Sequence, residues 1–398
     1  MPTPRRRSRP ISGTALAEAT SPAPHRLLFI SNGLGEDSIA AEIVRRLPPD
    51  PTVDAYPMLG QGLAYRDLCP VIGPRAEVAS QGWRNVRFSL LRDLFGGALG
   101  TIGPTLSFLH SLRGRYDRII VVGDMVGVAA CFLAGLRNVV YLDVYKTGHG
   151  RLYWPIERWL VSRTAAIAFC RSDKLAAQLR AAGVDARAAG NVMMDTVTRG
   201  QYDAASRRTR AAAVTLLPGS RQFTAESFSL QLAALRRLPP ETRPDIFLAA
   251  AGSISLDDIA GAAGLTVLAP QTAEPGDAGT LTDGDLVVHA GRGVAGNLIE
   301  AADVVLSQAG TASVQALGLG RPVITFINPR DRQSRVHAEN ALFGEARITV
   351  APDAALIAQR LAALLADPAE RRRLGAIGRE RIGPPGAIEA IVAAIIGG

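Results

Sequence analysis

Short apolar runs that end in glycine turns, each followed by apolar residues spaced three or four apart, recur along this chain. The first, Arg26-Leu27-Leu28-Phe29-Ile30-Ser31, stops at Asn32-Gly33-Leu34-Gly35, and its unbroken apolar character predicts a strand buried on both faces. From Asp37 through Ile39, Ile43, Val44 and Leu47 to Pro48-Pro49 the spacing predicts a helix. The same order returns at Arg118–Val122 before Gly123-Asp124, at Val139–Leu142, and at Ala165–Phe169 ahead of a helix around Lys174–Ala182. Strands alternating with helices predict a mainly parallel sheet covered on both faces.

Between residues 198 and 212 the pattern lapses into a polar stretch without apolar period, which marks a domain boundary. A second series follows: Val214–Leu217 into Pro218-Gly219-Ser220-Arg221, then Ile246–Ala250, Leu265–Leu268, Leu286–His289, Val304–Ser307 and Val323–Phe326. The expected layout is α/β throughout. A domain over 26–200 and a domain over 201–376 share a cleft, and a last segment, 377–398, ends in an apolar helix at Ala387–Ile396 that crosses back onto the first domain.

Composition narrows the function classes. With 398 residues, 47% hydrophobic and 20% charged, the chain has material for two buried cores and is not a disordered protein. The formal charge of +8 gathers partly in Arg5, Arg6, Arg7 and Arg9, so residues 1–25 read as a disordered basic arm. The surplus favours phosphate-bearing or anionic partners. Nucleic acid is not expected among them, because aromatic content is 5% and no recognised module appears. Cys69, Cys131 and Cys170 lie far apart among apolar neighbours, as reduced core cysteines of a cytoplasmic protein do. No run approaches the ~20 apolar residues of a spanning helix. Serine-hydrolase, zinc-protease, paired-cysteine and Walker A signatures are all missing.

Candidate chemistry concentrates in the loops after the predicted strands, where open α/β sheets bind ligands. Gln308-Ala309-Gly310-Thr311-Ala312-Ser313 opens a helix and reads either as a diphosphate seat or as a capped glycine turn. In Pro218-Gly219-Ser220-Arg221 the glycine admits a close ligand, and the arginine offers a planar fork for phosphate oxygens. Gly291-Arg292-Gly293-Val294-Ala295-Gly296 matches a dinucleotide fingerprint only formally, since the next strand ends in Gln308 and not in an acid. In the first domain, Gly33-Leu34-Gly35-Glu36-Asp37 carries two acids, and Asp124 follows a strand as either a general base or a helix cap.

In order along the chain, these loops form a known combination. From about Leu27 to Ile396 the chain resembles bacterial lipid-A-disaccharide synthase and, more closely, the lipid-A-disaccharide-synthase-related family. The resemblance rests on Ser-Asn-Gly-Leu-Gly-Glu-Asp at 31–37, Val-Gly-Asp at 122–124, Tyr-Trp-Pro-Ile-Glu-Arg-Trp-Leu at 153–160 and Gly-Asn-Val-Met-Met-Asp at 190–195. It continues through Leu-Leu-Pro-Gly-Ser-Arg at 216–221, Ala-Gly-Thr-Ala-Ser-Val-Gln-Ala at 309–316 and Gly-Arg-Glu-Arg-Ile-Gly-Pro-Pro-Gly-Ala at 378–387. It departs at Leu34 and Thr224, where relatives commonly carry His and an acid.

The resemblance implies a GT-B fold of two Rossmann-like domains and an inverting transfer from a UDP-sugar to a lipid-linked acceptor. Neither a metal nor a cofactor beyond the UDP-sugar co-substrate is implied. The diphosphate contacts would be Gly219, Ser220, Arg221, Gly310, Thr311 and Ser313, the base contacts Arg292 and Gly293, and the ribose contact Gln315. Asp124 would act as catalytic base with Arg221 opposing the charge on the leaving group. Gly33, Gly35, Glu36, Asp37 and Asn191 would lie on the acceptor side. A peripheral place on the inner face of the cytoplasmic membrane follows, with Arg87–Arg113 as either a membrane patch or a core helix broken at Gly103-Pro104. A UDP-sugar epimerase and a non-catalytic nucleotide-sugar or lipid-binding protein are the alternatives.

Overall fold

The computed structural model describes residues 26–75, 99–148, 152–219, 223–270, 274–327 and 339–397. The basic arm, Ser220, Arg221 and the part of the apolar segment from Arg87 to Ala98 lie outside the described residues.

The first sheet holds β1 (Arg26–Ser31), β2 (Thr52–Pro57), β3 (Arg118–Gly123), β4 (Val139–Asp143), β5 (Ala165–Phe169) and β6 (Asp185–Arg187). Their order is β2-β1-β3-β4-β5-β6, every pair parallel. The continuous apolar runs of β1, β3 and β4 are buried almost end to end, as parallel strands covered on both faces must be.

The second sheet holds β7 (Ala213–Leu217), β8 (Asp245–Ala249), β9 (Thr266–Leu268), β10 (Asp277–Thr282), β11 (Val287–Gly291), β12 (Val304–Ser307), β13 (Val323–Phe326) and β14 (Arg347–Val350). The order is β14-β13-β12-β7-β8-β11-β10-β9. Pairing is parallel from β14 to β11 and antiparallel from β11 through β10 to β9. Each sheet therefore reverses direction of growth once: between β1 and β3 in the first, and between β7 and β12 in the second.

Helices fill the connections. Those used below are α1 (Leu34–Arg45), α2 (Leu99–Ser111), α3 (Met125–Ala134), α4 (Pro155–Thr164), α5 (Val192–Asp195), α6 (Thr311–Gly318), α7 (Pro368–Ile382) and α8 (Ala387–Ile396). Helix α2 is not broken at Gly103-Pro104: Pro104 lies inside it, removing one backbone N–H, and the helix runs on to Ser111. Its later turns reach the core, with Leu109 fully buried and the Tyr56 hydroxyl donating to Thr105.

The C-terminal helix belongs to the first domain by packing. Ile388, Ile391 and Ile395 of α8 are fully buried in one cluster with Leu27, Phe29, Ile120 and Val140. After the first sheet the chain runs through α5 into the second domain, and it returns between α7 and α8, so two crossings lie side by side. The Asp195 carboxylate ties them by accepting from the backbone N–H of Gly386 at 2.6 Å and of Ile388 at 2.9 Å.

Candidate functional site

Crevices form at the carboxyl ends of parallel strands where a sheet reverses its order, because the flanking connections there diverge to opposite faces. In the first sheet that position lies between the loops after β1 and β3. Gly123 ends β3 with φ of 149°, and a Cβ there would collide with the Asn32 amide. The missing side chain lets Asn32 reach across to Asp124, to which its Nδ2 donates at 2.5 Å. The same Asp124 oxygen accepts from the Val126 N–H at 2.9 Å and caps α3. Asp124 is thus both a cap and a half-buried carboxylate at the strand end, fixed from two sides.

Asp37 lies in the neighbouring loop, in the first turn of α1. It is 2% exposed; its Oδ1 accepts from the Ser31 hydroxyl at 2.6 Å, and Ser31 also bonds Tyr65 at 2.7 Å. The other oxygen, Oδ2, is buried with no hydrogen-bond partner among the described residues. Burial pushes the Asp37 carboxyl up to about 6, with Ser31 pulling it down and Glu36 adding a smaller upward push. Gly33, Gly35 and Glu36 line the same turn, Glu36 half-buried and Gly35 exposed.

At the end of β4, Asp143 is fully buried, receiving the N–H groups of Tyr145 and Lys146 and the Tyr153 hydroxyl. Burial raises its carboxyl to about 6 against these hydrogen bonds and the nearby Lys146 and Arg171 charges. Lys146 is itself paired with Glu157 at 3.0 Å. The sequence reading missed Ser31, Tyr65 and Asp143; the signal was a polar residue ending an otherwise apolar strand, or a lone aromatic in the following loop.

In the second sheet the corresponding ends are those of β7 and β12, held together by the Gln308 N–H donating to the Leu217 carbonyl at 2.8 Å. Gly219 has φ of 104°, and a Cβ there would lie 3.7 Å from the Gln308 carbonyl oxygen. Gly310 caps α6 with open space beside it, and both Gly310 and Thr311 are exposed. Gly293 follows β11, also beside open space. The structure therefore gathers Gly219 and Gln308–Thr311 at one switch point, where the exposed Gly310 and Thr311 open α6.

Four of the expected ligand contacts have their polar groups engaged within the protein. The Ser313 hydroxyl is buried against Ser307 at 2.7 Å and the Ala309 carbonyl at 2.6 Å. Gln315 is buried, its amide donating to the Met193 carbonyl at 3.0 Å across the domain crossing. The Arg292 guanidinium is spent on the carbonyls of Ala251, at 2.6 Å, and Ile254. Asn191 is 1% exposed, with Oδ1 accepting from Met193 N–H and Nδ2 donating to the Ile382 carbonyl, so it faces no acceptor. Among the described residues no group of three or more His, Cys, Asp or Glu side chains is arranged to hold a metal. None of the described helices is long and apolar enough to cross a membrane.

No protein-family model and no curated protein matches the chain by sequence. Solved structures match along nearly its whole length. MurG of Acinetobacter baumannii aligns at 13% identity and a TM-score of 0.54, over 94% of this chain and 99% of that one. The UDP-GlcNAc 2-epimerase of Neisseria meningitidis, bound to UDP-GlcNAc, aligns at 13% and 0.52, over 92% and 98%. Glycosyltransferase VinC in complex with DTDP aligns at 15% and 0.52, over 93% and 99%. At such identities the likeness is one of fold: two α/β domains with mainly parallel sheets in the GT-B arrangement.

Proposed function

We propose that this protein is a GT-B nucleotide-sugar enzyme, and specifically an inverting glycosyltransferase that moves a sugar from a UDP-sugar onto a lipid-linked acceptor. The observation that carries the reading is that each sheet has such a switch point, with the Asp124 carboxylate at one and a glycine-flanked helix N-terminus at the other. The neighbours bound to UDP-GlcNAc and DTDP support a nucleotide-sugar ligand for the second domain.

On this reading the Asp124 carboxylate takes the proton of the acceptor hydroxyl. The freed oxygen pair attacks the anomeric carbon from the face opposite the diphosphate, the bond to the diphosphate oxygen breaks, and UDP leaves with the electron pair. The backbone N–H groups at Gly310 and Thr311, joined by Ser220 and Arg221, would meet the charge gathering on the diphosphate. Losing one such stabiliser costs on the order of 10²–10³ in rate. Asp124 suits the base position better than Asp37 because Asp37 is walled in behind Ser31 and Tyr65. The acceptor would reach it from the inner face of the cytoplasmic membrane.

The test is product analysis after incubation with UDP-sugars, with and without extracted membrane lipid. UDP released only when lipid is present, and lost in Asp124→Asn while UDP affinity is retained, is the expected result. An altered sugar nucleotide formed without acceptor would instead identify an epimerase, and UDP binding without any turnover a non-catalytic binder.

A further inference from the structure

Helices α3 and α4 lie side by side on one face of the first sheet, and both present apolar residues where a solvent-facing helix carries polar ones. Along α3 the outward row holds Val126 and Leu133, 45% and 67% exposed; no residue of this helix is charged. Along α4 the outward row holds Ile156 and Trp159, 63% and 45% exposed, and Trp154 at its start is 71% exposed. The rows join through the Phe132 and Trp159 rings, 5.2 Å apart and edge to face. Scattered exposed hydrophobics are ordinary, but a contiguous face built from two adjacent helices is a contact surface.

The charges around this face select its occupant. Between Met125 and Thr164 the acids are Asp143, fully buried, and Glu157, paired with Lys146 at 3.0 Å. Two cations point outward: Arg163 continues the Ile156 row two turns on, and Arg137, exposed, stacks its guanidinium 4.7 Å over Phe132. An apolar face with indoles at its rim, exposed arginines and no unpaired carboxylate matches the interface of an anionic bilayer. A second copy of the chain would bring arginines against arginines.

We infer that the α3–α4 face is where this protein seats itself on an anionic lipid surface, its Trp and Ile side chains entering the headgroup layer. The first turn of α3 begins at Asp124, so a bilayer held there would present acceptors beside that carboxylate. This last step rests on the proposed transfer to a lipid; the docking itself does not.

Flotation of the full chain with vesicles of phosphatidylglycerol and phosphatidylcholine tests the inference. The wild type is expected to float, less so as salt rises. Leu133→Glu/Ile156→Glu changes one exposed residue on each helix and is expected to weaken partitioning roughly a hundredfold, with Arg163→Glu weakening it less. Urea unfolding unchanged in both variants shows that the fold is kept. Equal flotation of wild type and double variant overturns the inference. So does a wild-type dimer that the double substitution dissociates, which would assign the face to self-association. UDP release with a detergent-dispersed acceptor separates the two readings: if it persists while flotation is absent, only the docking surface falls; if flotation holds and no lipid elicits UDP release, only the transferase reading falls.

Discussion

Replacing Asp37 by Asn removes the one charge that the first switch point holds out of water with an oxygen lacking a partner among the described residues. The wild-type carboxyl titrates near 6 in the folded protein against 3.8 in a model peptide, a difference of about 3 kcal/mol between its two protonation states. The shift is upward, so the folded state holds the proton more tightly than the unfolded chain. Asp37's contribution to stability is therefore most favourable below about 4, falls as the pH rises towards 6, and carries the whole penalty above that. In Asp37→Asn the amide oxygen would keep the Ser31 bond and the amide nitrogen would be a buried donor without a partner, costing about 1–3 kcal/mol at every pH. The variant should thus be less stable than wild type at pH 4 and equal or more stable at pH 8, the difference between the two moving by about 3 kcal/mol. Asp143 titrates in the same range but is common to both proteins and cancels. Trp83, Trp154 and Trp159 all precede the domain boundary, so tryptophan fluorescence during urea unfolding reports on this domain alone. Stability curves for the two proteins that run parallel from pH 4 to 8 would refute the argument, and with it the claim that Asp37 is buried as an unsatisfied carboxylate.

Gly123→Ala should destabilise the same domain by about 2 kcal/mol or more, because φ of 149° and the adjoining Asn32 amide leave no room for a Cβ; the same fluorescence-monitored urea titration measures it. Ile391→Ala, although far beyond the domain boundary in sequence, should lower the stability of the first domain by about 2–5 kcal/mol and leave the second domain's transition in place. Gln315→Glu should destabilise the chain by about 1–3 kcal/mol, since a carboxylate would then face the Met193 carbonyl, and should leave UDP affinity by calorimetry unchanged; a large loss of UDP binding with normal stability would restore Gln315 to the nucleotide site.

The strand and helix order was legible because strands covered on both faces read as continuous apolar runs, as in β1, β3, β4, β7 and β12. Strands of mixed polarity did not announce themselves: β2 is Thr-Val-Asp-Ala-Tyr-Pro and β10 is Asp-Ala-Gly-Thr-Leu-Thr, both too polar to stand apart from loop. The switch-point loops were legible for a different reason, since a sharp exit from a parallel strand calls for glycine and Gly123 and Gly219 mark two such exits. Direction was not legible. Thr311 and Gln315 are four residues apart and project from the same side of α6, yet one is exposed and the other buried. What separates them is α5, brought from far upstream to cover Gln315, and no local pattern records that contact.

Placing Asn191, in Gly-Asn-Val-Met-Met-Asp at 190–195, on the acceptor side met the same difficulty. Asn191 holds the carbonyl of Ile382, its own N–H bonds the Pro384 carbonyl, Asp195 grips the start of α8, and the Met193 carbonyl receives Gln315. Each bond joins segments far apart in sequence, and together they knot the two crossings between the domains. A polar motif beside a glycine looks like a ligand loop because both need unpaired backbone groups met by side chains. The difference is in the surroundings: Gly310 is exposed beside open space, whereas at Asn191 and Asp195 the returning chain supplies the partners. At that motif the polar groups serve the double crossing between the domains, whereas Gly310 and Thr311 at the start of α6 are exposed and Asp124 at the end of β3 is half-buried.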